Sequence, residues 1–239
     1  MFKFFKKPKI EFYPLIPQLA EMYPPESGKK DLISLLKNIV PVKKNKNISF
    51  SSNTSIKNCP GIIEYIKHGY VIKAWQDIII NTTADGENFQ WKSATRTNNY
   101  ITNQISEDNY FNNEVISFYK DYYHPYFGKP NTLKHVIQIP TRWFVKLPKD
   151  YAALFLPVWY DKEDRFTVIP GLLPAGSAED LNVFLQWNKL GTEEIIKAGT
   201  PLLKVIPFKY ENFDVVIRQM NSEDIYKFKK KSLISTNQF

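Results

Sequence analysis

The stretch that decides the fold runs from Pro140 to Lys209 and reads PTRWFVKLPKDYAALFLPVWYDKEDRFTVIPGLLPAGSAEDLNVFLQWNKLGTEEIIKAGTPLLKVIPFK. It contains short runs of aromatic and β-branched residues, and prolines or glycines stand between the runs. Aromatic and β-branched residues favour pleated, half-buried surfaces, whereas proline and glycine favour turns. The spaces between the runs are too short for the helical crossovers that parallel strands require. The stretch therefore predicts a compact antiparallel β-barrel or sandwich.

Six strands are predicted inside this stretch from the alternation of apolar side chains and the positions of the turn residues. They are Arg142–Leu147, Tyr151–Trp159, Phe166–Ile169, Leu181–Trp187, Thr192–Ile196 and Pro201–Phe208. A further strand, Leu133–Ile139, precedes them and is predicted to end at Pro140, because proline has no N–H to donate. Pro170–Gly171 is predicted to form a turn.

The first 30 residues form a proline-rich arm, with prolines at positions 8, 14, 17, 24 and 25. Each proline keeps the residue before it extended. We predict an extended arm with one short strand, Lys9–Tyr13, lying across the main body. Two short helices are predicted to follow: Asp31–Ile39 from the spacing of its apolar residues, and Pro60–His68 from proline at the first helical position.

A hairpin is predicted between these helices and the central stretch. Tyr70–Thr82 and Asn88–Ala94 have strand-like patterns, and Asp85–Gly86 between them is a strong turn signal. Asn109–Tyr119, further along, is predicted to be a helix because its apolar residues fall on one side.

The C-terminal part contains a candidate last strand, Asp214–Gln219, and a predicted helix, Ser222–Leu233, with Ser222 as its N-cap. The whole pattern indicates a mainly β protein of the α+β type, with a compact antiparallel core, a few short helices and the extended N-terminal arm. We place the arm and first helix in residues 1–56, the β-rich core domain in residues 57–220, and the C-terminal helix and tail in residues 221–239.

Composition narrows the function classes. The chain has 239 residues, of which 43% are hydrophobic and 23% charged, as in an ordinary globular protein. The net charge is +8, but much of the excess is lysine near the two ends and in the run Lys43–Lys46, so we favour a solvated surface over a nucleic-acid patch. A single cysteine, Cys59, excludes an intramolecular disulfide framework. No membrane span and no secretory signal are recognised.

The sequence lacks the common motifs of nucleotide and metal sites. Neither the P-loop spacing nor a GxGxxG fingerprint is present, and nine glycines leave little material for phosphate loops. His68, His124 and His135 stand apart, at spacings unlike those of metal ligands. Cys59 precedes Pro60 at a helix N-terminus, where a thiol pKa tends to fall, but a small buried residue is the commoner role of a free cysteine. We predict no catalytic residue, no metal ligand and no cofactor.

Tryptophans and basic residues of the central stretch are the candidate ligand contacts. Aromatic rings can form stacking platforms, and arginine or lysine can face an anion. The candidates are Arg142, Trp143, Lys146, Trp159, Arg165, Trp187 and Lys204. Tryptophans at strand positions are more often core or interface anchors, and that alternative stays open.

The central stretch resembles the β-clip fold of the dUTPase and dCTP deaminase superfamily. The resemblance lies in the order and spacing of VIPGLLPAG at Val168–Gly176, LNVFLQWN at Leu181–Asn188 and IIKAGTPLLKVIPF at Ile195–Phe208. It implies a β-clip-like core. The catalytic aspartate of that superfamily would fall near Pro170 or Gly171, and the PRSS-type segment and the Gly-rich arm have no counterpart here. The resemblance therefore implies the fold without the hydrolase chemistry.

A longer resemblance covers most of the chain. Four segments of the chain are similar to a family of tailed-bacteriophage proteins, many of them marine. They are the pattern Cys59–Asp77, the pattern Trp143–Tyr160, FTVIPG at Phe166–Gly171 and GTPLLKVIPFK at Gly199–Lys209. That family is related to a bacterial domain of unknown function. The resemblance implies phage origin and brings no activity with it.

These observations favour a non-catalytic β-rich module that binds or assembles, in the host cytoplasm or in the virion. Its expected partner is a second copy of the chain or another phage protein. The alternative is a nucleotide-binding or small-molecule-binding β-clip protein, an enzyme or a sensor, with an anionic ligand. A nucleic-acid binder ranks third, because the lysines are not interleaved with the aromatic residues. No membrane contact is expected.

Overall fold

The computed structural model describes residues 7–38, 59–93, 116–119, 131–159, 162–177 and 180–227. The chain divides into two compact units. The core unit comprises Met1–Gly28 and Gly69–Tyr210, and the second unit comprises Lys29–His68 and Glu211–Phe239. The domain boundaries given above stay a prediction.

Strands dominate the core unit. Within the described residues they are β1 (Glu11–Pro14), β2 (Glu26–Ser27), β3 (Tyr70–Lys73), β4 (Ile78–Thr82), β5 (Phe89–Ser93), β6 (Ser117–Tyr119), β7 (Val136–Lys146), β8 (Tyr151–Leu156), β9 (Phe166–Val168), β10 (Gly171–Pro174), β11 (Asp180–Trp187), β12 (Glu193–Ile196) and β13 (Pro201–Lys209). A short helix, α1 (Leu19–Met22), lies between β1 and β2.

Three antiparallel sheets are formed by these strands. The first sheet has the order β1-β7-β11-β9, and β6 also pairs with β7. The second sheet has the order β10-β8-β13-β3-β2, and the third has the order β12-β4-β5. Every described strand pair is antiparallel. The predicted mainly β class with antiparallel sheets, a compact core and few short helices is confirmed.

Alternation along the strands builds the hydrophobic core. Every second side chain of β11, at positions 181, 183, 185 and 187, is at most 1% exposed. Leu203 and Val205 on β13, with Ile72 on β3, pack into the same cluster. Because side chains alternate across a strand, β11 gives one complete face to the core.

The proline-rich segment contributes to two sheets. The predicted strand Lys9–Tyr13 is present as β1, which pairs with β7, and β2 pairs with β3. Ile16 and Leu19, between them, are 2% and 1% exposed and belong to the core cluster. The segment thus reaches from the first sheet to the second, but it is not extended throughout as predicted, because α1 lies between its two strands.

Two strand predictions in the central stretch were wrong. Pro140 does not end a strand, because β7 runs through it as one 11-residue strand. Pro140 pairs with Asn182, and the register shifts directly after it, between Asn182 and Asp180 of β11, so the missing N–H lies next to a bulge. Gly171, predicted to lie in a turn, begins β10, which pairs with β8.

The predicted hairpin is confirmed as β4 and β5, with Gly86 at a φ of 71° in the turn. Its first strand is shorter than predicted. Residues 74–77 are not in a strand and separate β4 from β3, which belongs to a different sheet. Those residues are tied to the turn before β13: Ala74 O accepts from Gly199 N, and Asp77 Oδ1 accepts from Ala198 N at 2.7 Å.

The prediction of a helix at Asn109–Tyr119 was wrong for its last three residues, 117–119, which form β6. Its earlier residues, 109–115, lie outside the described part of the chain. Short segments with apolar residues on one side suit either a helix or a strand, and here pairing with β7 decided between them.

The second unit contains α2 (Gly28–Asn38), except for its first residue, which belongs to the core unit, and α3 (Pro60–Lys67). Both helices were predicted, and Pro60 occupies the first turn of α3 as expected. Residues 222–227 are also helical. Their N-cap is Asn221 and not Ser222, because Asn221 and Asp224 each accept a backbone hydrogen bond from the other. None of the described helices is long and apolar enough to cross a membrane.

Candidate binding surfaces

The described residues contain no cluster of three or more His, Cys, Asp or Glu side chains that could hold a metal ion. Cys59 is exposed and stands at the N-cap of α3, as its sequence position indicated. His68 contacts Glu64 at 2.6 Å, one helical turn earlier. His135 contacts the carbonyl of Glu87 at 2.8 Å. The first contact is local, and the second joins residues 48 positions apart.

The three candidate tryptophans have different environments. Trp143 on β7 and Trp187 on β11 are 4% and 0% exposed, and both belong to the core cluster. The Trp187 ring stacks on Phe166, with ring centroids 6.3 Å apart. Trp159 is 64% exposed, after β8. The buried pair have the environment of core anchors, and a ligand role for any of the three stays a prediction.

Arg165 forms a clamp at the start of β9. Its Nε donates to Glu163 Oε1 at 2.8 Å, its Nη2 to Glu163 Oε2 at 2.5 Å, and its Nη1 to the carbonyl of Ile195. Hydrogen bonding to Glu163 raises the pKa of Arg165. Burial raises the pKa of Glu163, but the hydrogen bonds from Arg165 outweigh it, so that the pKa lies below its usual value. The guanidinium is therefore engaged in holding two chain segments together.

Arg142 lies in a strained backbone position on β7. Its φ is 63°, a left-handed value that is uncommon for any residue except glycine. The preceding residue, Thr141, is anchored to β11, because its buried hydroxyl donates to the carbonyl of Leu181 at 2.6 Å. The register shift on β11 falls at the same place. Strain of this kind costs about 1–3 kcal/mol and clusters at functional sites.

The side chain of Arg142 lies over an aromatic ring. Its guanidinium carbon is 5.8 Å from the ring centroid of Trp75, and Trp75 Nε1 donates to the carbonyl of Pro140 at 3.2 Å. Burial lowers the pKa of Arg142, and the charge of Asp180 opposes that shift. A guanidinium can stack on an aromatic face through a cation–π contact.

Gln76 follows Trp75 and is 1% exposed. Neither its amide nitrogen nor its amide oxygen has a hydrogen-bond partner among the described residues. A buried amide without partners is costly, and such groups require an explanation, for example a bound water or a ligand. We refer to Arg142, Trp75 and Gln76 as the arginine–tryptophan site.

The remaining two candidates lie apart from this site. Lys204, at 3% exposure, lies in the middle of the second sheet, between Leu156 of β8 and Val71 of β3. Lys146 is exposed at the end of β7, opposite Glu11. A depression on the third sheet is lined by other residues: Ile79, Asn81, Gln90, Trp91, Lys92 and Glu193. The seven candidates are thus spread over several elements of the core unit.

Residues 211–221, the C-terminal segment, carry several exposed apolar side chains in the described part of the second unit. The prediction of a strand at Asp214–Gln219 was wrong, because these residues form neither a strand nor a helix. Phe213 is 82% exposed, Val215 86% and Ile217 93%. Val216 is 66% exposed and Met220 is 56% exposed. Contiguous exposed apolar side chains of this kind mark surfaces that meet a partner.

Sequence reasoning missed two of these features. Trp75 lies in the quoted pattern Cys59–Asp77, but nothing in the sequence shows that it meets Arg142, 67 residues further along the chain. The C-terminal segment was recognised as a strand pattern but was assigned to the core. Its lack of charge at positions 213, 215 and 217 is the signal that could have identified a contact surface.

Comparison with known proteins gives a limited result. No protein-family model and no curated protein matches the sequence. Among solved structures, a mutant dUTPase from phage phi11 of S. aureus is similar at 10% identity, with a TM-score of 0.37, over 90% of this chain and 99% of that chain. A mutant dUTPase from Staphylococcus bacteriophage 80alpha is similar at 11% identity, with a TM-score of 0.37, over the same shares. A second 80alpha mutant has 10% identity and a TM-score of 0.33, over 64% of this chain and 87% of that chain. Scores this low carry no argument about activity.

Proposed function

We propose that this chain is a non-catalytic β-rich binding or assembly module that associates with copies of itself. We further propose a phage origin and a place in the virion or its assembly, on the sequence resemblance given above. The observation that carries the proposal is the C-terminal segment, which presents Phe213, Val215 and Ile217 almost fully to solvent.

The free energy available from this segment is substantial. Burying one large apolar side chain that was exposed contributes about 1.5–3 kcal/mol. Three such side chains on each copy therefore offer several kcal/mol, which a partner surface can recover after the entropic cost of association. An isolated chain would leave that surface in water, where it also favours aggregation.

Light scattering across a range of protein concentrations tests the proposal. We expect the mass of the full chain to rise above that of one copy as concentration increases. Ile217→Asp should shift the association to higher concentration, because a charge replaces an exposed apolar side chain. A mass of one copy at every concentration, for the unaltered chain, would refute self-association.

A second candidate function is supported by the arginine–tryptophan site. A strained, half-buried arginine lies over the ring of Trp75, and the next residue, Gln76, has a buried amide without a partner among the described residues. This combination suits a small anionic ligand. Nucleotides and inorganic phosphate are the probes. A ligand present at about 100 times its dissociation constant should stabilise the fold by about 2.7 kcal/mol in a thermal-shift measurement.

The control for this second candidate is Arg142→Gly, which suits the positive φ and removes the guanidinium. A true ligand should stabilise the unaltered chain and leave this variant unchanged. Equal stabilisation of both proteins would locate the ligand elsewhere, and no stabilisation by any probe would remove the candidate.

A further inference from the structure

The third sheet has one face in the core and one face toward solvent. Ile78 and Ile80 of β4 and Ile196 of β12 are fully buried. Because side chains alternate across a strand, Ile79 and Asn81 belong to the opposite, outer face. The depression described above lies on this outer face and has about 210 Å³ of open space. Its floor is therefore formed by strands that the core holds in place.

Three polar side chains form a row across the outer face. Asn81 of β4 is directly opposite Gln90 of β5 on one side and Glu193 of β12 on the other. Side chains directly opposite one another have Cβ atoms about 4.5–5.5 Å apart. In the next row Ile79 is opposite Lys92. A carboxylate, two amides, an ammonium group and an isoleucine side chain thus share one small surface.

The polar side chains of this surface are not engaged by the rest of the chain. Among the described residues, none of the four makes a side-chain hydrogen bond or an ion pair, and all four are exposed: Asn81, Gln90, Lys92 and Glu193. The turn between β4 and β5 is different, because the hydroxyl of Thr83 donates to Asp85 Oδ1 there. The donors and acceptors of the outer face therefore remain available to a ligand.

The chemistry of these groups favours a neutral ligand with several hydroxyl groups. An ionised carboxylate only accepts hydrogen bonds, an ammonium group only donates them, and an amide does both. A hydroxyl group also does both, so neighbouring hydroxyl groups can bond to all of these side chains. The charges of Glu193 and Lys92 cancel, so the surface has no net attraction for an anion or a cation. The half-buried side chain of Ile79 offers apolar contact to the C–H groups of a sugar ring.

We infer that the outer face of the third sheet binds a neutral sugar, with Asn81, Gln90 and Glu193 bonding to its hydroxyl groups and Ile79 contacting its ring. Sugar binding here does not depend on the proposed self-association, which uses other residues. An open depression buries only part of one sugar ring, so we expect a dissociation constant on the order of 1 mM for a single ring.

Nuclear magnetic resonance titration of the full chain tests this site. The probes are the methyl glycosides of glucose, galactose, mannose and N-acetylglucosamine, each raised to about 50 mM, well above the expected dissociation constant. We expect the side-chain NH₂ signals of Asn81 and Gln90 to shift and saturate with at least one probe. The NH₂ signals of Gln219, an exposed residue outside the third sheet, should not move. Because the ligand is neutral, the affinity should be the same at low and at high salt.

Two variants make the test specific. Gln90→Ala should weaken binding about fivefold to tenfold, because one hydrogen-bonding amide is lost. Its fold is not at risk, since the side chain is exposed. Gln219→Ala removes an exposed amide from the C-terminal segment and should leave the affinity unchanged.

Four results would overturn the inference. The first is no shift of the Asn81 and Gln90 signals with any of the four probes. The second is loss of binding at high salt, which would indicate recognition of charge. The third is equal weakening in the two variants. The fourth is a shift of both signals with protein concentration in the absence of sugar, which would assign the surface to contact between copies. None of the first three results bears on the mass measured by light scattering, so the proposed self-association is judged separately.

Discussion

The strand β13 and the C-terminal segment follow one another in the chain, and both have the apolar pattern of a strand. β13 lies between β8 and β3, and four consecutive residues of it, 202–205, are at most 3% exposed. The C-terminal segment forms no strand, and Ile217 is 93% exposed. The pattern thus gives a segment the capacity to pair. Whether it pairs within the chain depends on a free neighbour.

The largest expected effect compares one side chain from each region. Leu202 is fully buried, so Leu202→Ala should lower the free energy of unfolding by about 2–5 kcal/mol through lost burial and a cavity. Ile217→Ala should change it by no more than about 0.5 kcal/mol. Urea unfolding at a protein concentration low enough to keep single copies measures both. A comparable loss at Ile217 would show that the segment packs within its own chain.

A second comparison concerns how closely the backbone approaches β13. Gly69 has a φ of 83°, and a Cβ there would lie 2.4 Å from the carbonyl oxygen of Val205. Gly176 has a φ of 81°, but a Cβ there would meet nothing within 4 Å. Gly69→Ala should therefore destabilise the fold by about 2 kcal/mol more than Gly176→Ala, since the two share the backbone strain but only one has the clash. Thermal unfolding of both variants decides this, and equal losses would contradict the described approach.

The smallest expected effect concerns pH and the clamp that precedes β9. The pKa of Glu163 is lowered in the fold, so the unfolded chain takes up this proton first as the pH falls. The stabilisation is therefore present above the ordinary pKa of glutamate and is lost as the pH falls through the lowered value. Glu163→Gln should be less stable than the unaltered chain at neutral pH, and the difference should shrink on acidification.

Asp164→Asn provides the matched control for this pH effect. Asp164 contacts Lys189 at 2.6 Å, but its side chain is 73% exposed, whereas that of Glu163 is 12% exposed. Solvent screens the exposed pair, so this variant should show a smaller difference at neutral pH. Thermal unfolding over the acid range measures both, and a larger effect at Asp164 would contradict the assignment of the clamp.

Much of the fold could be predicted from the sequence because alternation and turn residues act locally. β8, β11, β12 and β13 were located from their own apolar patterns. Pro140 was misjudged because its missing N–H is accommodated by the register of β11, which is a property of a neighbouring strand. The C-terminal segment was misjudged for the same reason, since the availability of a partner is not written in the segment itself.

The candidate sites were less predictable than the fold. Arg142 was named from its charge, but its positive φ and its contact with Trp75 depend on a bulge that no local pattern indicates. Arg165 was named on the same ground, and the structure engages it with Glu163 and Ile195. Charge identifies which side chains can meet an anion, whereas the tertiary structure determines which of them are already engaged.

Self-association through the C-terminal segment is head-to-tail when the segment of one copy meets a different surface of the next copy. Such a head-to-tail contact has no symmetry of its own. Repeated from copy to copy, it yields a ring when the rotation between neighbours divides a full circle, and an open helical filament when it does not. A reciprocal exchange, in which both copies donate and accept, closes as a twofold dimer. The same short segment thus sets the choice between a particle of fixed size and a polymer without a natural end.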